Sequence, residues 1–279
     1  MKKLLTKIIP RIYGKYFNLL VVFDTKRTAQ KAFNTFCKIR KGRVTEQQKP
    51  FLEAAKKEVE AAAGHQIQVY EWQGSKPTVM LVHGWESNSF RWRNLIKKLQ
   101  EADFHIIAFD APGHGYSTGH QLYVPLYSEC LQALIEKHQP QFLVGHSVGG
   151  MTLLYNDFKN QNEFIQKIVT IGSPSEFHEI MTHYQGFLRF NDKVLNALDA
   201  FIQSKFDMRI KDFSSSKFVA TNTKKGLLFH DRLDLIAPYH ASEQVHQNWK
   251  GSQLVSTEGL GHSMHQEEVN NQIIQFLEA

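Results

Sequence analysis

The sequence predicts an α/β protein: a doubly wound, mostly parallel sheet with a helical cap insertion and an N-terminal helical extension. Three observations carry this. Short unbroken apolar runs such as Val79-Met80-Leu81-Val82 and Phe142-Leu143-Val144 have the character of strands buried on both faces. They alternate with stretches of helical periodicity, the pattern of parallel strands joined by crossover helices. One run also leads straight into Gly145-His146-Ser147-Val148-Gly149 and on into an apolar helix start, a strand, sharp turn and helix in succession.

At 279 residues the chain is long enough for one α/β domain with an insertion, or for two small domains. Its 42% hydrophobic and 22% charged residues are those of an ordinary soluble globular protein. Two cysteines, Cys37 and Cys130, are too few for a disulfide framework, which points to a reducing, cytoplasmic setting. The formal charge of +6 is unevenly spread: residues 1–49 hold thirteen Lys or Arg against Asp24 and Glu46, a net of +11 that leaves −5 for the rest. An acidic surface is therefore sought as a partner of the N-terminal segment, not of the remainder.

Taken in order, Met1 to about Phe23 places Leu5, Ile8, Ile9, Ile12, Tyr16, Leu19, Leu20 and Phe23 at helical spacing, with Lys3, Lys7, Arg11 and Lys15 as a basic stripe beside them. Basic residues interrupt the apolar positions and no small-residue cleavage site follows, so this is no secretory signal. Its longest apolar run, Leu19 to Phe23, is too short to span a bilayer. Two readings remain: a helix packed on the main domain, or an interfacial helix lying on anionic lipid through residues 1–23. Pro10 is expected to kink or divide it. Helical patterning continues to about Ala63, with a basic, solvated loop at 38–43 and a second helix opened by Thr45 and ended by Gly64.

Strand patterns then take over at 67–72, 78–82, 104–109, 141–144, 167–172, 226–230 and 252–256, with helices at about 92–99 and 123–138 between them. Between Gly172 and Gly226 lie about fifty residues without a strand pattern, rich in Phe and helically spaced at Leu195, Leu198, Phe201 and Ile202. A structureless loop of that length is improbable, so a small helical cap is expected there. The implied organisation is a basic extension over 1–63, a core over 64–173 and 226–279, and the cap over 174–225.

The chemistry follows from the elbow. A serine on so sharp a turn has its hydroxyl held clear of the sheet, flanked by glycines because a Cβ at 145 or 149 would strike a neighbouring strand or helix. The helix that follows offers the Val148 backbone N–H to a developing oxyanion. A serine needs a base, and the base an orienting carboxylate, each from a loop at a strand end. His230-Asp231-Arg232-Leu233-Asp234 offers two acids. Asp234 is favoured because the loop lets it reach back, whereas Asp231 sits at the strand end and suits a turn. Gly259-Leu260-Gly261-His262 supplies the base, and His265 is set aside as lying inside the next helix. His83-Gly84-Trp85 supplies the second oxyanion donor through the Trp85 N–H. The histidines show no metal-ligand spacing.

These motifs, together with Asp110-Ala111-Pro112-Gly113-His114-Gly115-Tyr116-Ser117, resemble the α/β-hydrolase superfamily in order and spacing over residues 64–279, and look like a capped, carboxylesterase-like bacterial member. The resemblance implies Ser147 as nucleophile, Asp234 as acid, His262 as base, Trp85 and Val148 as oxyanion donors, and no cofactor or metal. Asp231 in place of the usual glycine and the long basic N-terminal segment depart from the family pattern. The expected activity is cleavage of a small or medium apolar carboxylic ester through an acyl-enzyme, falling on the acidic side as the base protonates. The alternatives are a membrane-associated thioesterase or acyltransferase, and a catalytically silent binding protein on the same fold. A peripheral contact of residues 1–23 with an anionic membrane is one expected partnership; nucleic acid is not, since no nucleic-acid motif appears.

Overall fold

The computed structural model describes residues 2–279, with side chains from Ile8 onward; the side chains of Lys3, Leu5 and Lys7 lie outside the described residues. The chain divides into two compact units, Met1–Lys38 with Glu176–Ser214, and Ile39–Ser175 with Ser215–Ala279.

The larger unit is built on one eight-stranded sheet, ordered β1-β2-β4-β3-β5-β6-β7-β8. Its strands are β1 Lys56–Ala62, β2 His65–Trp72, β3 Lys76–Val82, β4 Phe104–Phe109, β5 Phe142–His146, β6 Lys167–Ile171, β7 Lys225–Asp231 and β8 Ser252–Thr257. β1 and β2 join antiparallel, as do β2 and β4, and every later pair is parallel. Both sheet faces are covered, which is why the central strands read as unbroken apolar runs. Met80 and Val82 of β3 turn to one side and Val79 and Leu81 to the other, all four fully buried.

The helices of the whole chain are, in order, α1 Lys2–Phe23, α2 Thr25–Cys37, α3 Lys49–Glu53, α4 Arg93–Glu101, α5 Val124–His138, α6 Val148–Asn160, α7 Phe177–Leu188, α8 Asp192–Phe206, α9 Ser215–Phe218, α10 His240–Asn248 and α11 Glu267–Glu278. α5 and α6 contribute Leu131, Ile135, Leu153 and Leu154 to the core on one face of the sheet. α4 and α11 contribute Ile96, Leu99, Ile273 and Leu277 on the other.

Five local expectations are corrected. Residues 56–62 form strand β1, not the end of a helix: they pair with β2 through a two-residue turn in which Ala63 and Gly64 both take positive φ (47° and 75°), so Gly64 serves a hairpin and not a helix end. The expected helix from Thr45 shrinks to α3, and residues 39–63 belong to the unit that holds the sheet. The basic 38–43 loop is not simply solvated, because Arg43 donates to the carbonyls of Gly115, Ser117 and Gly119 at 3.2, 2.6 and 3.1 Å. His265 precedes α11 and does not lie within it. Helix α1 runs unbroken through Pro10.

The smaller unit is helical. Asp24 caps α2 by accepting from the Arg27 N–H at 2.8 Å, and Asn191 caps α8 through the Val194 N–H at 3.2 Å. Phe33 packs its ring on Phe201 and Phe206, and Phe36 on Tyr184, so the aromatic-rich insertion and α2 share a core. Helix α1 meets the end of α7 closely enough that a Cβ on Gly14 would lie 1.8 Å from the Leu188 carbonyl oxygen. Asn18 fastens the same contact, donating to the Arg189 carbonyl at 3.3 Å and accepting from the Asn191 N–H at 2.7 Å. Among the described residues no helix is long and apolar enough to cross a membrane, and no group of His, Cys, Asp and Glu could hold a metal ion.

Candidate active site

Ser147 sits between the end of β5 and the start of α6 with φ 54° and ψ −125°, a conformation that a non-glycine residue adopts only under strain from its surroundings. What holds it there is space. A Cβ on Gly149 would come within 2.2 Å of the Val82 carbonyl oxygen, and one on Gly145 within 2.7 Å of the Gly150 nitrogen. The two flanking glycines thus let α6 pack directly on the sheet, and the Ser147 N–H is fixed by the Ile171 carbonyl at 2.8 Å. Val148 is the first residue of α6, where backbone N–H groups have no partner within the helix.

Asp234 and His262 are brought together. Asp234 lies in the loop after β7, its side chain fully buried, and its Oδ2 accepts from the His262 Nδ1–H at 2.7 Å. Its Oδ1 accepts from the Ile236 and Ala237 N–H groups at 2.8 and 3.1 Å, so the carboxylate is fixed in orientation. With Nδ1 carrying the proton, Nε2 of His262 is left with its lone pair, the arrangement a general base requires.

His262 comes from the loop after β8, at the sheet edge, yet reaches β5 across the ends of β7 and β6. The crossing depends on Gly172 after β6, whose position for a Cβ lies 3.1 Å from the His262 carbonyl oxygen and 3.2 Å from its Nδ1. At the far side His146, immediately before Ser147, donates from Nε2 to the His262 carbonyl at 3.0 Å, and the two rings lie 4.8 Å apart. Burial pushes the His146 imidazole well below its ordinary pKa, so it is a neutral Nε2–H donor. The residue that precedes Ser147 therefore holds the main chain of His262.

Asp231, the other acid, has a different position. Its Oδ1 accepts from the Leu233 and Gly259 N–H groups at 3.0 and 3.3 Å, and its Oδ2 from the Leu260 N–H and the Thr257 hydroxyl at 2.7 and 2.9 Å. Burial works to raise its pKa, but these four donors outweigh burial and hold it below the usual carboxylate range. Asp231 ties the loop of Asp234 to the loop of His262. A glycine there could not do so.

The flank that carries His83-Gly84-Trp85 is organised by buried imidazoles. His83 accepts from the Ala111 N–H at Nε2 (2.9 Å), so its Nδ1–H donates to the Gly84 carbonyl at 2.7 Å. His114 accepts from the Glu86 N–H at 3.0 Å and donates to the Pro112 carbonyl at 2.9 Å. Desolvation lowers these two rings to about 4 and about 3, so both are neutral. Behind them the fully buried Asp110 carboxylate accepts from the Ser89 N–H and hydroxyl, the Tyr70 hydroxyl and the Tyr116 N–H. A Cβ on Gly84 would lie 3.0 Å from the Ser147 Cβ, which puts the loop of Trp85 directly against Ser147.

Sequence reasoning passed over His230. It is fully buried, accepts from the Ser242 hydroxyl at 2.6 Å, donates to the Ala237 carbonyl at 3.0 Å and lies 3.5 Å from Asp234 Oδ2. Desolvation lowers its pKa, leaving it a neutral brace for the turn that carries Asp234. Its place at the end of an apolar strand, four residues before the acid, was the available signal.

The family model for the alpha/beta hydrolase fold matches residues 77–189. Pimeloyl-[acyl-carrier protein] methyl ester esterase of Vibrio vulnificus (strain YJ016) is 30% identical over 109 residues, covering 39% of this chain and 41% of that protein. Phospholipase YtpA of Bacillus subtilis (strain 168) is 28% identical over 115 residues, covering 38% of this chain and 44% of its own length. The chain thus spans about two fifths of the length of these relatives. Among solved structures, Est1E of Butyrivibrio proteoclasticus with bound ferulic acid superposes with a TM-score of 0.64 at 18% identity, over 79% of this chain and 98% of that one.

Proposed function

We propose that this chain, which has the α/β-hydrolase fold and matches that family's model over residues 77–189, is a serine hydrolase that cleaves a carboxylic ester through an acyl-enzyme. The observation that carries the proposal is the 2.7 Å bond from His262 Nδ1 to the buried Asp234, made by a histidine whose main chain is bonded to the residue before a strained elbow serine. A methyl ester esterase and a phospholipase among its relatives support the same reading.

In this mechanism His262 Nε2 takes the Ser147 Oγ proton as the oxygen attacks the ester carbonyl. Asp234 stabilises the imidazolium that forms. The oxyanion is met by the Val148 and Trp85 N–H groups, which together supply several kcal/mol of transition-state stabilisation. Collapse expels the alcohol with the proton from Nε2, and water activated by the same nitrogen releases the acid. No cofactor or metal enters. A panel of p-nitrophenyl esters of graded chain length tests this: wild type hydrolyses the short and medium members, and Ser147→Ala loses at least about 10³-fold in kcat/KM. A Ser147→Ala enzyme as fast as wild type overturns the proposal.

A further inference from the structure

Helix α1 carries two apolar faces. Gly14, Phe17 and Val21 form the buried one, fastened through Asn18 to the Leu188–Asn191 turn. The apolar stripe conspicuous in the sequence is the other. Ile8, Ile9, Ile12, Tyr16, Leu19 and Phe23 all stand exposed, Ile12 by 59%, Leu19 by 64% and Phe23 by 79%. On a turn of 3.6 residues these six fall on the side of the helix away from Phe17 and Val21. So the conspicuous stripe is not what packs the helix, and it forms a continuous row of large apolar side chains along the helix.

The charge beside that row is of one sign. Arg11 and Lys15 are exposed at its margin, and exposed Lys26 and Arg27 follow at its C-terminal end. Through residue 45 the chain carries a single acid, Asp24, against twelve Lys or Arg. Isolated exposed apolar residues are ordinary, but a row this long on one helix marks a binding surface. A protein partner of mixed charge would leave the cations at the margin uncompensated. An anionic bilayer surface satisfies both features: the apolar side chains enter the acyl boundary while the cations stay at the headgroups.

We propose that the exposed face of α1 docks the protein on anionic lipid bilayers, with Ile12, Leu19 and Phe23 entering the membrane and Arg11 and Lys15 at the phosphates. The inference is independent of the hydrolytic reading. Its test is flotation of the full chain with vesicles of phosphatidylcholine alone or of phosphatidylcholine with phosphatidylglycerol. Wild type and Ser147→Ala are expected to float equally with the anionic vesicles and to remain in solution with the neutral ones. The variant I12E/L19E/F23E, altered only at exposed positions, is expected to lose recovery. R11E/K15E, which touches no apolar contact, is expected to bind at least about tenfold more weakly. Wild type left in solution with anionic vesicles overturns the proposal, as does I12E/L19E/F23E floating like wild type. A wild-type dimer by light scattering that I12E/L19E/F23E converts to monomer, without vesicle binding by either, assigns the face to a second copy of the chain and likewise overturns it.

Discussion

The two flanks of Ser147 are stabilised by different means. On the flank of His83-Gly84-Trp85, His83, Asp110 and His114 are fully buried and the glycines lack room: a Cβ on Gly84 would lie 3.0 Å from Ser147 Cβ, and one on Gly115, which also takes a φ of +46°, would fall 1.8 Å from Asp110 Oδ2. On the flank of His262, Gly259 and Gly261 have nothing within 4 Å of a Cβ and are required by φ values of +83° and +69° alone. There a carboxylate, Asp231, gathers four donors to shape a half-buried loop. The first flank is close-packed and rigidly held, the condition that the proposed stabilisation of an oxyanion demands. The second flank is a folded-back loop whose shape is set by hydrogen bonds, which suits the proton exchange proposed for His262.

The largest expected effect separates the two acids of the His262 flank. Asp234→Asn leaves the fold intact and lowers kcat about 10³–10⁴-fold, because the imidazole loses the carboxylate that fixes its tautomer. Asp231→Asn keeps at most part of the four-donor arrangement, costs about 1–3 kcal/mol of stability and lowers kcat by about tenfold. Steady-state kinetics with urea unfolding on both variants checks the order; its reversal would exchange the roles assigned to them.

A smaller effect separates the flanks by pH. His83 and His114 are neutral in the fold with pKa values of about 4 and about 3, below the 6.5 of an unfolded imidazole. Acidification protonates the unfolded state first. Their contribution is therefore whole above about pH 6.5 and is lost as pH falls towards 4, a few kcal/mol in all. Asp231, also held below its ordinary value, contributes above about pH 4 and is lost only below it. Urea midpoints between pH 7.5 and 4 should fall steadily, and less so in His114→Gln, whose amide oxygen can accept from Glu86 without titrating. A flat profile would contradict the neutral assignments.

The smallest effect contrasts the glycines. Gly84→Ala pushes a Cβ to 3.0 Å from both His146 Nδ1 and Ser147 Cβ, so kcat should fall about 10–100-fold with KM little changed. Gly261→Ala has room but pays in backbone conformation, about 1–2 kcal/mol of stability, with kcat close to wild type. Thermal melts beside kinetics distinguish the two, and equal loss of activity in both would erase the contrast between the flanks.

Much of this was legible in the chain. The strand β4 at Phe104–Phe109 was read to the residue, because buried parallel strands write themselves as apolar runs. Turn chemistry around Ser147, Asp234 and His262 singled them out, and the structure gives Ser147 a positive φ and bonds His262 to Asp234. Strand β1 was misread because Glu60-Ala61-Ala62-Ala63 favours a helix locally, and only pairing with β2 makes it a strand. Asp231 and His230 were underestimated since their partners, Leu260 and Ser242, are recognisable only after the loops have folded. For α1 the periodicity was right, but Gly14 and Asn18 decide which face packs, and neither contributes to an apolar pattern.

The assignment of Ser147 is tested most directly by intact-protein mass spectrometry after reaction with a fluorophosphonate, followed by peptide mapping. The account predicts one adduct per chain, on the peptide carrying Ser147, absent in Ser147→Ala and strongly slowed in His262→Ala. An adduct that persists in Ser147→Ala, or one mapped to another residue, would contradict it.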